Sequence, residues 1–197
     1  MRTTEQGFSF CCISIARRGR SCLRTAPLRL EAATLQIWPG FRLELPAPLV
    51  FQTGFRYHLR GLNGSGKSSF LSRVLLPRLI GNVSYYNLYF EQQMSLQLDA
   101  VRAYAALCKP RQLLTSEKDV IDFLLRDLFN RLREAPRPVY VLMDESPHTG
   151  FIADSLQEQT ANSCLIYTSH QEELPDSICM DFELLEPGSG RVLASPA

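Results

Sequence analysis

Residues 61–68 form a glycine-rich run that ends in a lysine and a serine, Gly-Leu-Asn-Gly-Ser-Gly-Lys-Ser. The run fits the pattern G-x-x-x-x-G-K-[ST], in which glycines let backbone N–H groups approach phosphate oxygens. We expect Lys67 to reach the β and γ phosphates of a nucleoside triphosphate and the Ser68 hydroxyl to bind Mg²⁺. The run therefore predicts a nucleotide site. Its other predicted contacts are Asn63, Gly64, Ser65, Gly66 and the adjacent Ser69.

An apolar segment at 139–143 is followed directly by two acids, Asp144 and Glu145. Such a segment is typical of a strand buried on both faces. In a parallel sheet, the carboxyl end of this strand would lie beside the glycine-rich run. We therefore expect Asp144 to hold Mg²⁺ through water and Glu145 to polarise an attacking water molecule. The alternative is a solvated strand end without a chemical role.

His170 follows a second apolar segment, at 164–169, which would deliver it to the same edge of the sheet. A histidine at this place could bind the terminal phosphate, or hold the attacking water and Glu145 in line. A purely structural histidine is the alternative.

The glycine-rich run lies between a predicted strand at 55–59 and a predicted helix at 67–79. Proline and glycine punctuate region 34–59, which favours an antiparallel sheet there. The order of strand, helix and buried strand further on predicts an α/β core with a largely parallel sheet. Ser116 and Asp119 form a predicted capping box. Other strands are predicted at 35–38, 41–45, 49–52, 83–90, 139–143 and 164–169, and helices at 99–108, 117–134 and about 152–159.

The chain has 197 residues, 45% of them apolar, which indicates one domain with a full core. With 21 Lys and Arg against 20 Asp and Glu, no strong overall field favours nucleic acid or an anionic membrane.

Residues 1–30 nevertheless hold six arginines and one acid. We expect 1–33 to be a basic, poorly ordered extension, with a targeting segment as the alternative, and 34–197 to be the nucleotide-binding domain. The six cysteines lack zinc-ligand spacing, so reduced thiols in the cytosol are expected.

The order of these motifs resembles the ATP-binding cassette (ABC) ATPase family, over roughly residues 35–193. Segment 61–68 is similar to its Walker A motif, 139–145 to its Walker B motif with the catalytic glutamate, and His170 to its switch histidine. The resemblance implies a P-loop NTPase fold with an ABC-type core, a small antiparallel layer and a helical subdomain. It also implies hydrolysis of ATP with Mg²⁺.

Three further features carry the resemblance. Gln92 is similar to the glutamine that touches Mg²⁺ in the family, with Gln93 as a competitor. Trp38 is similar to the aromatic residue that stacks on adenine, with Phe41 as the alternative. Segment 179–190 resembles the closing strand pair.

The chain also departs from the family. Segment 114–118, Leu-Thr-Ser-Glu-Lys, stands where the family has its glycine-containing signature. Without glycine its backbone cannot easily approach a phosphate, and Glu117 would repel one. Ser116 is either a helix cap or a substitute for the signature serine. The stretch between Gln92 and Thr115 is short, which predicts a shortened helical subdomain, and segment 146–150 differs from the family's D-loop.

Family ATP sites are shared between two subunits, so this chain is expected to need a second ABC-type subunit, in a heterodimer or a homodimer. The resemblance implies an ATPase subunit that powers a membrane transporter or export complex, placed in the cytoplasm and bound through a transmembrane partner chain. One alternative is a soluble ABC-type ATPase of DNA repair or defence, although the acidic body of the chain makes nucleic acid the weaker choice of partner. Another is a nucleotide-binding switch with little turnover.

Overall fold

Strands dominate the first part of the computed structural model, which describes residues 27–108, 114–170 and 173–194. The first strand, β1, already lies at Leu28–Leu30, before the boundary expected at residue 34. It pairs antiparallel with β4 (Leu49–Phe51) in a small separate sheet. Tyr140 attaches this pair to the main sheet, because its hydroxyl accepts from the Leu28 amide and donates to the Phe51 carbonyl, both at 3.1 Å. Residues 1–26 of the expected extension lie outside the described residues.

The main sheet has eight strands in the order β2-β3-β10-β9-β5-β8-β7-β6. The five strands from β9 to β6 are parallel, β10 runs antiparallel to β9, and β2 and β3 form an antiparallel pair at the far end. The expected mostly parallel α/β sheet is confirmed. The strands are β2 (Ala33–Trp38), β3 (Phe41–Leu45), β5 (Arg56–Gly61), β6 (Tyr86–Phe90), β7 (Val139–Asp144), β8 (Ser163–Thr168), β9 (Ser177–Glu186) and β10 (Ser189–Ala194).

One prediction for region 34–59 was wrong. Strand β5 does not join the antiparallel layer but lies between β8 and β9, parallel to both. Turn residues before β5 indicated a change of direction without indicating the partner, which packing decides.

Helical segments cover both faces of the sheet. One face carries a continuous helical segment after the glycine-rich run: α1 (Lys67–Ser69), a π-helical stretch (Phe70–Leu75) and α2 (Leu76–Ile80). The opposite face carries three further helices, and each face has its own apolar core. The three helices are α3 (Ser95–Cys108), α4 (Glu117–Glu134) and α5 (Thr149–Gln159).

The bounds of α4 agree with the prediction, and so does the predicted capping box at its start. Ser116 accepts from the Asp119 amide at 3.1 Å, and Asp119 accepts from the Ser116 amide at 2.8 Å, which completes the capping box. Buried residues recur along one side of this helix and include Val120, Leu124 and Leu128. Burial of each such side chain contributes about 1.5–3 kcal/mol to folding. None of the helices within the described ranges is long and apolar enough to span a membrane.

Candidate functional site

The carboxyl ends of β5, β7 and β8 meet at one edge of the sheet. Thr168 and Asp144, the last residues of β8 and β7, lie opposite each other, and Leu59, two residues before the end of β5, lies opposite Thr168. The glycine-rich run leaves β5 at this edge. We call the residues gathered here, namely Lys67, Ser68, Gln92, Asp144, Glu145, Thr168 and His170, the strand-end site.

The glycine-rich run adopts a backbone that only glycine takes without strain. Gly61, Gly64 and Gly66 all have positive φ, and Gly66 at φ 100° lies directly before α1. A Cβ at Gly66 would also lie 2.9 Å from the Phe41 ring. The loop is thus fixed both by its own backbone and by an aromatic ring on β3.

Lys67 is buried beneath the loop, and its Nζ donates to the carbonyls of Gly61 at 2.7 Å and Leu62 at 3.0 Å. Burial lowers the pKa of Lys67, while the nearby carboxylates of Glu145 and Asp144 act in the opposite direction. The ammonium group is therefore held inside the loop, close to two acids.

Asp144 is buried and joins two strand ends to the helix start. Its Oδ1 accepts from the Ser68 hydroxyl at 3.0 Å and from the Thr168 hydroxyl at 2.8 Å. Burial and the charge of Asp144 both raise the pKa of Tyr89 on β6, so this phenol stays protonated. A serine hydroxyl and a carboxylate in contact are oxygen donors of the kind that Mg²⁺ binds.

Glu145 is held on three sides. Its amide donates to the Thr168 hydroxyl at 2.9 Å and to the Thr168 carbonyl at 3.2 Å. Its carboxylate accepts from Gln92 Nε2 at 2.6 Å and lies 2.8 Å from His170 Nε2. Glu145 also has φ 50°, an uncommon value for a residue other than glycine. The turn directs its side chain to residues from two other segments.

The contacts favour Gln92 over Gln93 as the glutamine at this site, because it is Gln92 that bonds to Glu145. Trp38 is half-buried and stacks on Phe41, with ring centroids 4.6 Å apart and planes at 16°. Phe41 is buried, so of the two aromatic candidates Trp38 is the one with an accessible surface.

The remaining predicted contacts differ in accessibility. Asn63 and Gly64 are exposed at the tip of the loop, and Gly66 and Ser69 are half-buried. The Ser65 hydroxyl is buried and has no hydrogen-bond partner within the part of the chain that the structure describes.

Sequence reasoning missed Thr168 as a site residue, although it bonds to both acids. The signal was a hydroxyl residue at the end of an apolar segment, at the position that faces Asp144 in the register. That position cannot be read before the pairing of the two strands is known.

Segment 114–118 lies apart from this bond network, at the start of α4. Thr115 and Ser116 both bond to Asp119, so Ser116 is a helix cap. Glu117 accepts from His148 at 3.0 Å, which ties the helix start to the segment after Glu145. The second role considered for Ser116, as a substitute for the signature serine, gains no support from these contacts.

No protein-family model matches the chain, and no curated protein matches it. Among solved structures the chain is similar to the Aeropyrum pernix ORC2 protein in its ADPNP-ADP complexes. The identity is 11% and the TM-score 0.33, over 60% of this chain and 36% of the ORC2 chain, so this chain spans about a third of that protein. A similarity at this level carries no argument about function.

Proposed function

We propose that the chain binds ATP with Mg²⁺ and hydrolyses it, as an ABC-type P-loop ATPase. One observation carries the proposal: Gln92, Asp144, Glu145 and His170 come from three separate segments and meet beside Ser68 of the glycine-rich run. A structural role for any one of these residues would not require the others to converge.

The residues fit a nucleotide bound with Mg²⁺. The loop has the positive φ values of an anion-binding backbone, its Ser65 hydroxyl is buried without a partner in the described ranges, and Lys67 brings a positive charge. Ser68 and Asp144 supply adjacent oxygens for the cation. Mg²⁺ would neutralise charge that develops on the phosphate oxygens.

The contacts of Glu145 support its proposed role as a general base. Its carboxylate lies at the surface of the site, where it can accept a proton from water. Gln92 and His170 each hold one of its two oxygens, and Thr168 fixes its backbone, so the carboxylate has a defined orientation. Glu145 is accordingly the proposed general base, and Gln92 and His170 are its positioning residues.

Calorimetry on the full chain with ATP and Mg²⁺ tests binding, and phosphate release tests hydrolysis. Lys67→Ala should weaken ATP binding about 10-fold or more, since a charge-assisted contact contributes about 1.5–3 kcal/mol. Lys118→Ala, which removes a lysine from α4, is the matched control and should leave binding unchanged. Folded wild-type chain that gives no heat with ATP and Mg²⁺ would contradict the proposal.

We further propose that a second ABC-type subunit completes the site. The chain carries the loop, the two acids and His170, whereas its segment 114–118 is engaged at the start of α4. A partner with an intact signature would supply what this segment lacks.

A Glu145→Gln chain should retain ATP and accumulate the closed dimer, because hydrolysis no longer reopens it. The mass of this variant in solution is measured with excess ATP, first for the variant alone and then in the presence of the chain that co-purifies with it. Self-association on ATP together with brisk hydrolysis by the isolated wild-type chain would indicate a homodimer instead.

The finer proposal, which rests on the family resemblance alone, is a cytoplasmic subunit of a membrane transporter or export complex. It predicts co-purification with a transmembrane chain, bound near Gln92 and α3. Stoichiometric ATP binding without turnover, even beside the native partner, would instead indicate a nucleotide-dependent switch.

A further inference from the structure

Three side chains with metal-binding atoms meet on the α4 and α5 face of the sheet, and none of the three belongs to the strand-end site. His58 on β5 lies opposite Cys179 on β9, and Glu173 comes from the segment before β9. One ring nitrogen of His58, the Cys179 sulfur and a Glu173 carboxylate oxygen all lie within 4.8 Å of one another. We call these three residues the His-Glu-Cys group.

His58 is 5% exposed, and its ring is fixed by stacking on Tyr167 of β8, with centroids 4.6 Å apart and planes at 1°. Its Nε2 lies 3.3 Å from the Ser169 carbonyl, a contact that requires a proton on Nε2. In the neutral ring the other nitrogen, Nδ1, carries a lone pair, and it has no hydrogen-bond partner in the described ranges. A metal-binding histidine commonly has this arrangement, with one nitrogen bonded to a carbonyl and the other free to bind.

Cys179 and Glu173 already contact each other, since the Cys179 thiol donates to Glu173 Oε1 at 3.0 Å. Both side chains are accessible enough to adjust, whereas His58 is fixed. Ligand atoms around a tetrahedral Zn²⁺ are about 3.5 Å apart, so movements of about 1 Å would bring the three within bonding distance.

We propose that the His-Glu-Cys group binds a divalent transition metal of the Zn²⁺ class. A nitrogen, a sulfur and an oxygen ligand favour such an ion over Mg²⁺ or Ca²⁺, which prefer oxygen alone. On binding, the S–H bond of Cys179 breaks, its proton passes to solvent, and the sulfur forms a bond to the metal. Water can occupy the fourth position, as in zinc sites with three protein ligands.

The proposed site is separate from the nucleotide site, because it shares no residue with it. The two sites are nevertheless connected, since His58 bonds to the carbonyl of Ser169, the residue before His170 of the strand-end site. A bound metal would hold Glu173 to His58 on β5 and Cys179 on β9.

The test is a titration of the full chain with Co²⁺ alone, followed by displacement with Zn²⁺. We expect one Co²⁺ per chain and a near-ultraviolet absorption from charge transfer between thiolate and Co²⁺. Cys179→Ser should abolish this absorption, and Glu173→Gln should weaken Co²⁺ binding about 10-fold or more. Circular dichroism checks that both variants are folded; should Cys179→Ser not fold, Glu173→Gln decides.

Two controls separate this site from adventitious binding. Asp181→Asn removes a neighbouring carboxylate on β9, which pairs with Arg60, and should leave Co²⁺ binding intact. Replacing Cys11, Cys12 and Cys22 by serine should leave the absorption intact as well. The proposal would be overturned if the wild-type chain lacked the absorption or if Cys179→Ser retained it. It would also be overturned if Glu173→Gln bound Co²⁺ as tightly as the wild type, or if either control lost the absorption or Co²⁺ binding.

Discussion

The strand-end site and the start of α4 both consist of polar side chains that bond to one another, yet they are built differently. At the strand-end site the Ser68–Asp144 bond joins residues 76 apart and the Gln92–Glu145 bond residues 53 apart. At the start of α4, Ser116 and Asp119 are three apart. The first region presents groups from distant segments to an open edge, whereas the second uses its groups to begin a helix. Polar residues in a suggestive order become a site only when the fold turns them toward one another.

The largest difference between the two regions is expected in how much a substitution lowers the rate of ATP hydrolysis. Glu145→Gln should lower ATP turnover about 10²–10⁴-fold, the usual contribution of a general base, while ATP binding persists. Phosphate release and calorimetry on the same preparation separate the two quantities. Glu117→Gln at the start of α4 is the matched control. An equal loss of turnover in both variants would remove the distinction between the regions.

The next largest effect is expected from a substitution that strains the backbone of the glycine-rich run. Gly66→Ala must place a Cβ at φ 100° and 2.9 Å from the Phe41 ring, so we expect it to lower the free energy of unfolding by about 1–3 kcal/mol and to weaken ATP binding. Gly150→Ala, in α5, meets nothing within 4 Å and should be neutral or stabilising by up to about 1 kcal/mol. Urea unfolding compares the two; a tolerated Gly66→Ala would show that the loop is not fixed as described.

A smaller effect is expected at the helix cap. Ser116→Ala removes the acceptor for the Asp119 amide and should lower the free energy of unfolding by about 1 kcal/mol. ATP binding by the isolated chain should not change, because no strand-end residue bonds to Ser116 among the described contacts. Weaker ATP binding by this variant would connect the two regions.

The smallest effect is expected for the dependence of the free energy of unfolding on acidic pH. The Ser116 amide, then the Ser116 and Thr115 hydroxyls, lower the pKa of Asp119 to about 2 from 3.8. A carboxyl with a lower pKa in the folded state stabilises the fold above its unfolded pKa, and this contribution is lost as pH falls from roughly 4 to 2. Asp119→Asn should therefore differ most from wild type near neutral pH and converge with it in acid. Unfolding curves across this pH range measure the difference; a constant difference would show that the carboxyl does not respond to pH as described.

Much of the fold was predictable because its signals are local. The capping box at Ser116 and the apolar side of α4 set that helix within one stretch of chain, and the prediction of 117–134 agrees with the structure. The placement of β5 was not predictable, since its partners β8 and β9 lie more than 100 residues further along the chain. The choice between Gln92 and Gln93 depended on the pairing of β6 with β7, and the part played by Thr168 on the pairing of β7 with β8, which are long-range as well.

The sequence by itself determined the glycine-rich run with Lys67 and Ser68, the acids Asp144 and Glu145, and the lack of a glycine in segment 114–118. Only the tertiary structure decided that Gln92 and His170 hold Glu145, and that His58, Glu173 and Cys179 lie together. The reason is physical: a loop or a helix cap depends on neighbours in the chain, whereas these groups depend on strand order and register. Packing of both faces of the sheet selects the order and register, and no short stretch of sequence contains that information.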